Sequence, residues 1–214
     1  MKRIFMLLVG VVAMFSAGCE VDDAALTNHK TYTLYEEPSA IAISNGVDVV
    51  VDDALPRNQV YALTNANNFN RLSVEVNDGT LHIGVSTSIF GYNRCLVYVP
   101  SVAYERVALK GGSDFLWNSC NSDVLSISAS GGGDCQIKGV AQQLSIDSSG
   151  GADVKCGELE AEDVTIDASG GSDVDAVANS TLSLTASDGA DVHIKGNPQI
   201  VHWDVSGGAD VEFN

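Results

Sequence analysis

The chain has 214 residues, with 11 Lys and Arg against 28 Asp and Glu, which gives a formal net charge of -17 at pH 7. This length suits one domain or two small ones. The negative charge argues against binding to nucleic acid or to anionic membrane surfaces, because their phosphates would repel the protein. Since 45% of the residues are hydrophobic and only 18% are charged, the acidity is not that of a disordered chain, and we expect a folded protein.

Residues 1–18 have the order of an export signal. The basic residues Lys2 and Arg3 precede an apolar run that is too short to cross a bilayer. Residues 16–19 read SAGC, which is similar to the lipobox of bacterial lipoproteins, where the Cys is acylated and becomes the first mature residue. We therefore predict a lipoprotein signal peptide over residues 1–18 and lipidation of Cys19.

This signal sets the expected location of the protein. Cleavage before Cys19 leaves 9 basic against 28 acidic residues, and segment 19–30 has no sustained apolar period, so it is expected to be a lipid-anchored tether. The membrane is then a partner through the lipid on Cys19, and the mature domain lies at the bacterial outer membrane or cell surface. The alternative is an ordinary secretory signal cleaved near Ala17, in which Cys19 has no special role.

An internal repeat dominates the second half of the chain. Six copies of a motif close to Ser-Gly-Gly-x-Asp-Val occur, and their Asp residues are 20, 19, 20, 18 and 19 positions apart. Before the motif, apolar and polar residues alternate, as at Leu144 and Ile146, and this period of two is typical of a strand with one buried face. A shorter alternation follows each Asp, without an intervening helical pattern. The six Asp residues are Asp114, Asp134, Asp153, Asp173, Asp191 and Asp210.

A repeat of strands without a helix cannot bury its own apolar face, so neighbouring copies must stack. A period near 19 residues predicts an all-β fold, a right-handed parallel β-helix (solenoid) with coils of about 19–20 residues that is regular from about 107 to 214. An antiparallel sandwich is the alternative, although it usually needs turns every 8 to 12 residues. Two inward ladders are predicted, at Leu125, Leu144, Val164, Leu182 and Val201, and at Ile127, Ile146, Ile166, Leu184 and Trp203.

Earlier segments have the pattern of less regular coils. Residues 41–49 repeat the order of strand, turn, Asp and Val, and residues 72–83 predict two strands around the turn at Asp78 and Gly79. Because no linker rich in Pro, Gly or Ser separates these segments from the repeats, we predict one domain over residues 31–214.

The order of these motifs resembles the auto-transporter adhesin, head GIN domain family of Bacteroidetes lipoproteins and secreted proteins. The resemblance is carried by the opening segment 41–50, the middle segment 79–83, the strand end 97–100 and the Ser-Gly-Gly-x-Asp-Val ladder. It covers nearly all of the mature chain. The resemblance implies a single β-helical, GIN-type domain of the cell envelope, and it provides no catalytic residue.

The ladder formed by the six Asp residues has two interpretations. Carboxylates stacked about 4.8 Å apart repel by roughly 1 kcal/mol in water and about 3.5 kcal/mol at an effective dielectric of 20. In the structural interpretation, amides of the Gly turns donate hydrogen bonds to the Asp side chains, each contributing roughly 1.5 to 3 kcal/mol, so no cofactor is needed. In the functional interpretation the ladder binds calcium, which prefers oxygen ligands.

The remaining cysteines indicate no metal or redox motif, because no C-x-x-C pair occurs. Cys135 and Cys156 fall at inward positions and are predicted to be buried thiols. Cys95 and Cys120 could form a disulfide in an oxidising compartment.

No catalytic motif is present either. The sequence lacks a G-x-S-x-G elbow, an H-E-x-x-H motif and a phosphate-binding loop. Some β-helical enzymes cleave acidic polysaccharides with basic residues on one face, whereas Arg57, Arg71, Arg94 and Arg106 all lie outside the regular ladder. We therefore predict a non-enzymatic protein.

Two functional classes remain besides a lyase-like enzyme, which needs a cleft of convergent basic and acidic groups that the sequence does not indicate. The first is an adhesin or ligand-binding module for a glycan or a surface protein, and the second is a periplasmic structural or envelope-stress accessory protein. Aromatic residues in the middle of the chain would form a ligand patch if they are exposed, and would fill the core if they are not. Trp203 is expected to be buried, and the uncapped last coil is compatible with a homo-oligomer. The candidate patch consists of Tyr92, Tyr98, Tyr104 and Trp117.

Overall fold

The computed structural model describes residues 26, 28–64, 69–86 and 95–214. The predicted signal peptide, Cys19 and Tyr92 lie outside these residues. The described residues contain fifteen β-strands and no helix, and therefore no helix that could cross a membrane. The strands are β1 (Asn28–Thr33), β2 (Ala40–Ser44), β3 (Asp48–Asp52), β4 (Gln59–Thr64), β5 (Leu72–Asn77), β6 (Thr80–Val85), β7 (Cys95–Pro100), β8 (Arg106–Gly111), β9 (Phe115–Gly131), β10 (Asp134–Gly150), β11 (Asp153–Gly170), β12 (Asp173–Ala186), β13 (Asp191–Lys195), β14 (Gln199–Val205) and β15 (Asp210–Phe213).

The repeats form the coils of a β-solenoid, as predicted. Strands β9 to β13 follow one another in the sheet, with parallel pairing throughout. Asp134 pairs with Asp153, Asp153 with Asp173, and Asp173 with Asp191. One sequence repeat is therefore one coil, and the spacing of the Asp residues is the length of the coil.

The inward ladders follow the predicted register, with one exception. Ile146 pairs with Ile127 and Ile166, and Leu184 pairs with Trp203. In the other ladder the last rung was predicted to be Val201 but is Ile200, which pairs with Leu182 before an irregularity shifts the register. The extra residue at this bulge, Val201, is 59% exposed.

The first half of the chain completes the solenoid out of sequence order. Strand β2 lies between β6 and β8, and β3 lies between β7 and β9, all in parallel. Ile41 therefore joins the ladder between Leu81 and Val107. The predicted hairpin of β5 and β6 is present, and Asp78 (φ 50°) and Gly79 (φ 70°) both adopt the positive φ that a tight hairpin turn requires.

The N-terminal strand begins earlier than the predicted domain boundary. Residues 28–30 were predicted to belong to the tether, but they form the start of β1, which pairs antiparallel with β4. Strand β4 in turn pairs antiparallel with β7. Tyr32 on β1 packs against the main core, so burial of this side chain offsets the entropy lost when the segment is ordered.

The last coil is open to solvent, which corrects the prediction for Trp203. Its pairing with Leu184 is as predicted, but the side chain is 44% exposed and stacks on Phe213, with ring centroids 5.9 Å apart. The reason is that β14 and β15 have neighbours on one side only within the described residues. An inward position is buried only when another coil covers it.

The four cysteines in the described part of the chain are buried free thiols. The prediction of buried thiols is confirmed for Cys135 and Cys156, and the bridge that the sequence left open between Cys95 and Cys120 is not formed. Those two residues lie on β7 and β9, which β3 separates. Two strand spacings are about 9.6 Å, beyond the separation that a disulfide can span.

Candidate functional site

The described aromatic residues of the predicted ligand patch are buried. Tyr104 and Trp117 are 0% and 1% exposed and meet edge to face inside the solenoid, with centroids 5.7 Å apart. The Tyr104 hydroxyl donates to the carbonyl of Pro100 at 3.1 Å. Tyr98 is 3% exposed and belongs to a second, smaller apolar cluster with Leu96. Of the two alternatives, these three side chains follow the one in which they fill the core, because burial of their large apolar area stabilises the fold.

The Asp ladder lies on the outer face of the sheet, and among the described residues no Gly-turn amide donates a hydrogen bond to the carboxylate of Asp134, Asp153, Asp173, Asp191 or Asp210. Within the described residues, the turn amides bond to the preceding coil instead: the amide of Gly151 donates to the carbonyl of Gly131 at 2.7 Å. The Asp114 carboxylate accepts a bond from the backbone amide of Asp134 at 3.0 Å. The amides of Gly132 and Gly151 are not available to those five carboxylates, because they bond to the preceding coil.

The positive charge of a single lysine offsets the negative charge of two carboxylates in the ladder. Lys155 Nζ lies 3.6 Å from Asp134 Oδ1 and 3.3 Å from Asp153 Oδ2. One coil further on, the pKa of Asp173 is raised by its partial burial and then by the charges of Asp175 and Asp153. Of the ladder's described residues, only Asp173 belongs to a group of three potential metal ligands, together with Asp175 and His193.

A groove of about 450 Å³ opens on the outer face of the first coils. Its floor is made by small residues of adjacent strands. Ser44 at the end of β2 pairs with Gly84 of β6 on one side and with Lys110 of β8 on the other. The preceding outward residue, Ala42, pairs in the same way with His82 and Ala108. Strand alternation thus brings Ala42 and Ser44 of the central strand to the same outer face as Gly84 and Ala108, with the longer side chains of His82 and Lys110 beside them.

The absence of a side chain at position 84 keeps the groove open. A Cβ added to Gly84 would lie 2.5 Å from Ser44 Oγ. Any larger residue would therefore have to displace this hydroxyl, and its side chain would enter the groove.

Three basic side chains line the groove, although the protein as a whole is acidic. They are Arg71, His82 and Lys110. None of the three forms an ion pair with a carboxylate of the described residues. The nearest acidic position in register is Glu75, which faces His82 across β5 and β6 and accepts a hydrogen bond from Ser73 Oγ at 2.8 Å. Such a cleft concentrates positive potential where a ligand would lie.

These groups can bind an anion. A guanidinium group can donate two parallel hydrogen bonds to a carboxylate or sulfate, and an ammonium group adds a third charged donor. The groove was missed from the sequence because Arg71 lies outside the repeats and Lys110 belongs to a degenerate copy of the turn motif. The sequence feature that could have indicated the groove is the alternation of Arg106, Ala108 and Lys110 on β8, which lies next to the small outward residues of β2.

Solved structures with the same fold are named as adhesins or binding proteins. A "putative adhesin" from Bacteroides fragilis matches with a TM-score of 0.67 and 17% identity, covering 87% of this chain and 96% of that one. A "putative lipid binding protein" from Parabacteroides distasonis matches with a TM-score of 0.51, 15% identity and the same coverage. A "putative adhesin" from Parabacteroides merdae matches with a TM-score of 0.52 and 15% identity, covering 87% and 95%. These matches show a shared fold.

Sequence comparison identifies the family. No curated protein matches the chain. Residues 37–198 match the family described as "Putative auto-transporter adhesin, head GIN domain". An adhesin is non-enzymatic in kind, in agreement with the lack of a catalytic motif in the sequence. Because the matched region covers well over half of the 214 residues, the protein belongs to the auto-transporter adhesin, head GIN domain family.

Proposed function

We propose that the protein is a non-enzymatic, lipid-anchored adhesin module of the cell envelope that binds an acidic sugar in the groove. The observation that carries this proposal is the set of three basic side chains, Arg71, His82 and Lys110, around a floor of small residues. Membership of an adhesin family and the fold shared with structures named as adhesins support a binding role.

The size and charge of the groove favour a short acidic saccharide. A volume of about 450 Å³ lies in the lower part of the range of small-molecule sites, which is roughly 300–1,000 Å³. The net charge of -17 opposes the approach of a long polyanion. A sugar unit with one carboxylate, or the acidic end of a longer glycan, instead brings its charge directly to the basic side chains.

Isothermal titration calorimetry with trigalacturonate, and with maltotriose as the neutral control, tests the proposal. We expect the acidic sugar to bind and the neutral one not to bind. Arg71→Ala and Lys110→Ala should each weaken binding by roughly 10-fold to 100-fold, since a hydrogen bond to a charged group contributes about 1.5–3 kcal/mol. Raising the salt concentration should weaken it further.

Arg57 provides a matched control. It is an exposed arginine outside the groove that pairs with Glu37 at 3.2 Å, so Arg57→Ala should leave the affinity unchanged. Equal binding of the two sugars, or full affinity in both groove variants, would show that the groove does not select an acidic ligand. Failure of both sugars to bind would contradict the saccharide proposal itself.

A further inference from the structure

Three potential metal ligands converge on the outer face near the end of the solenoid. Asp173 and Asp175 are two residues apart on β12 and therefore point to the same side. His193 on β13 pairs directly with Asp175. Its Nδ1 atom lies 3.6 Å from Asp173 Oδ1 and 3.5 Å from Asp175 Oδ1, and one ligand atom from each residue lies within 4.8 Å of the other two.

The two distances from His193 to the carboxylates suit a tetrahedral ion. With metal–ligand distances of about 2.1 Å, two ligands at a tetrahedral angle lie about 3.4 Å apart. The two distances from His193 are within about 0.2 Å of this value. All three side chains project from paired strands, so little backbone movement is needed to bind an ion there.

The imidazole of His193 is an independent indication. Its Nδ1 atom is inaccessible to solvent and has no hydrogen-bond partner among the described residues, although it faces two carboxylates. The other ring nitrogen, Nε2, lies 3.9 Å from Glu212 Oε2 on β15. This distance is too long for a hydrogen bond, so Glu212 acts on the imidazole through its negative charge, which favours a cation bound to the ring.

The surrounding charge also favours a cation. Asp153 and Asp191 flank Asp173 on the neighbouring strands. Lys155 faces Asp175 in register, but its ammonium group is bound to the Asp134 and Asp153 side chains. Within the described residues, His193 is the only ion-pair partner of Asp173 and Asp175. A bound dication would offset the repulsion among these carboxylates.

We propose that Asp173, Asp175 and His193 bind Zn²⁺, which clamps two successive coils together. The imidazole ligand decides the metal, because nitrogen ligands favour zinc over the hard cations calcium and magnesium. Three protein ligands leave one tetrahedral position for water. This site is separate from the groove, and it differs from calcium binding along the whole Asp ladder.

Titration of the chelator-treated chain with ZnCl₂ tests the site. Calorimetry should show one strong site per chain, with Ca²⁺ and Mg²⁺ at least about 10-fold weaker, and Zn²⁺ should raise the melting temperature. His193→Gln and Asp175→Asn should each lower the Zn²⁺ affinity by more than about 10-fold, because each removes one of the three ligands. His202→Gln, at an exposed histidine on β14, is the matched control and should bind as the wild type does.

The wild-type chain provides a readout that does not depend on variants. Co²⁺ in place of Zn²⁺ should give the intense visible d–d bands of a tetrahedral site with nitrogen and oxygen ligands. Unchanged Zn²⁺ affinity in His193→Gln, or weak octahedral bands with Co²⁺, would overturn the proposal. Preferential binding of Ca²⁺ that His193→Gln does not affect would assign the carboxylates to calcium instead.

Discussion

At the scale of single residues, the direction of a side chain and the element that covers it decide its role. In the Ser-Gly-Gly-x-Asp-Val motif, the side chain of the residue directly before the Asp points inward, where only a small residue fits. Ser113 and Ser172 occupy this position and are 0% and 1% exposed. The buried Ser113 hydroxyl accepts hydrogen bonds from the amides of Gly46 and Val47 at 3.0 and 3.3 Å. A polar side chain is tolerated in the core because its partners come from the neighbouring coil.

The buried cysteines give a prediction at this scale. Burial raises the pKa of the Cys95, Cys120 and Cys156 thiols to about 12, and it also raises that of Cys135. At pH 8 a thiol with that pKa is ionised in roughly one molecule in 10⁴. In a Cys19→Ser chain, Ellman's reagent should therefore find no reactive thiol in the folded protein and four after denaturation.

The same shifts predict how stability depends on pH. Because folding raises the thiol pKa, the resulting contribution to stability is complete below the unfolded pKa, near 8.5–9, and is lost as pH rises towards 12. The free energy of unfolding measured with urea should fall over this range. Rapid modification of native thiols at pH 8 would show that the coils open more readily than the structure indicates.

At the scale of the elements, the coil is the unit of stability, since each strand is buried by the coils on either side of it. Ile146 stacks between Ile127 and Ile166, and each fully buried aliphatic side chain contributes roughly 1.5–3 kcal/mol. The turns must stack as well. Gly131 has φ 103°, a backbone conformation that residues with a side chain rarely adopt. A Cβ at this position would also lie 2.7 Å from the carbonyl oxygen of Gly111, so a larger residue would collide with the preceding coil.

An insertion tests this account of the coil. Two residues added between Ile146 and Asp147 preserve the alternation of faces but displace the turn at Gly150 from those at Gly131 and Gly170. We expect the melting temperature to fall by more than about 5 °C, or roughly 2 kcal/mol. The same insertion in the exposed turn at 56–57 is the control and should have little effect. Equal effects at both positions would argue against stacking as the main stabilising term.

At the scale of the whole molecule, the two ends of the solenoid differ. The hairpin of β5 and β6 lies beside the first coil, whereas the last coil exposes Trp203 and Phe213. The groove and the proposed metal site lie on different coils, so one protein can bind a ligand and a structural ion independently. Pairing of two copies through the open end stays a prediction.

The proposed location gives a prediction for intact cells. Protease added to the cells should cleave the chain without lysis, as judged with an antibody to residues 31–214, because a surface adhesin must reach its ligand. Cys19→Ala should remove the lipid label and release the protein from the membrane fraction. A periplasmic control protein must stay intact throughout. Protection of the chain until lysis would favour the alternative of a periplasmic structural or envelope-stress protein.

The solenoid, the length of its coils and the family could all be predicted from the sequence, because the period of the apolar residues and the Gly turns is a local property of the chain. Alternation shows which face of a strand is buried, but it does not show which strand lies beside it. The regular spacing could have paired Asp175 with His193, which are 18 residues apart. The contact with Asp173 depends on side-chain direction, which the spacing does not give.

The groove and the burial of the aromatic residues depend on contacts between distant parts of the chain, which the sequence pattern does not specify. The groove depends on the insertion of β2 between β6 and β8, which brings Arg71 and Lys110 to one surface from distant parts of the chain. Tyr104 and Trp117 are covered by neighbouring coils, whereas Trp203 lies on the same kind of ladder but has a neighbouring coil on one side only in the part of the chain that the structure describes. Whether a side chain is buried depends on the strands that pack against it, and contacts between distant parts of the chain determine which strands those are.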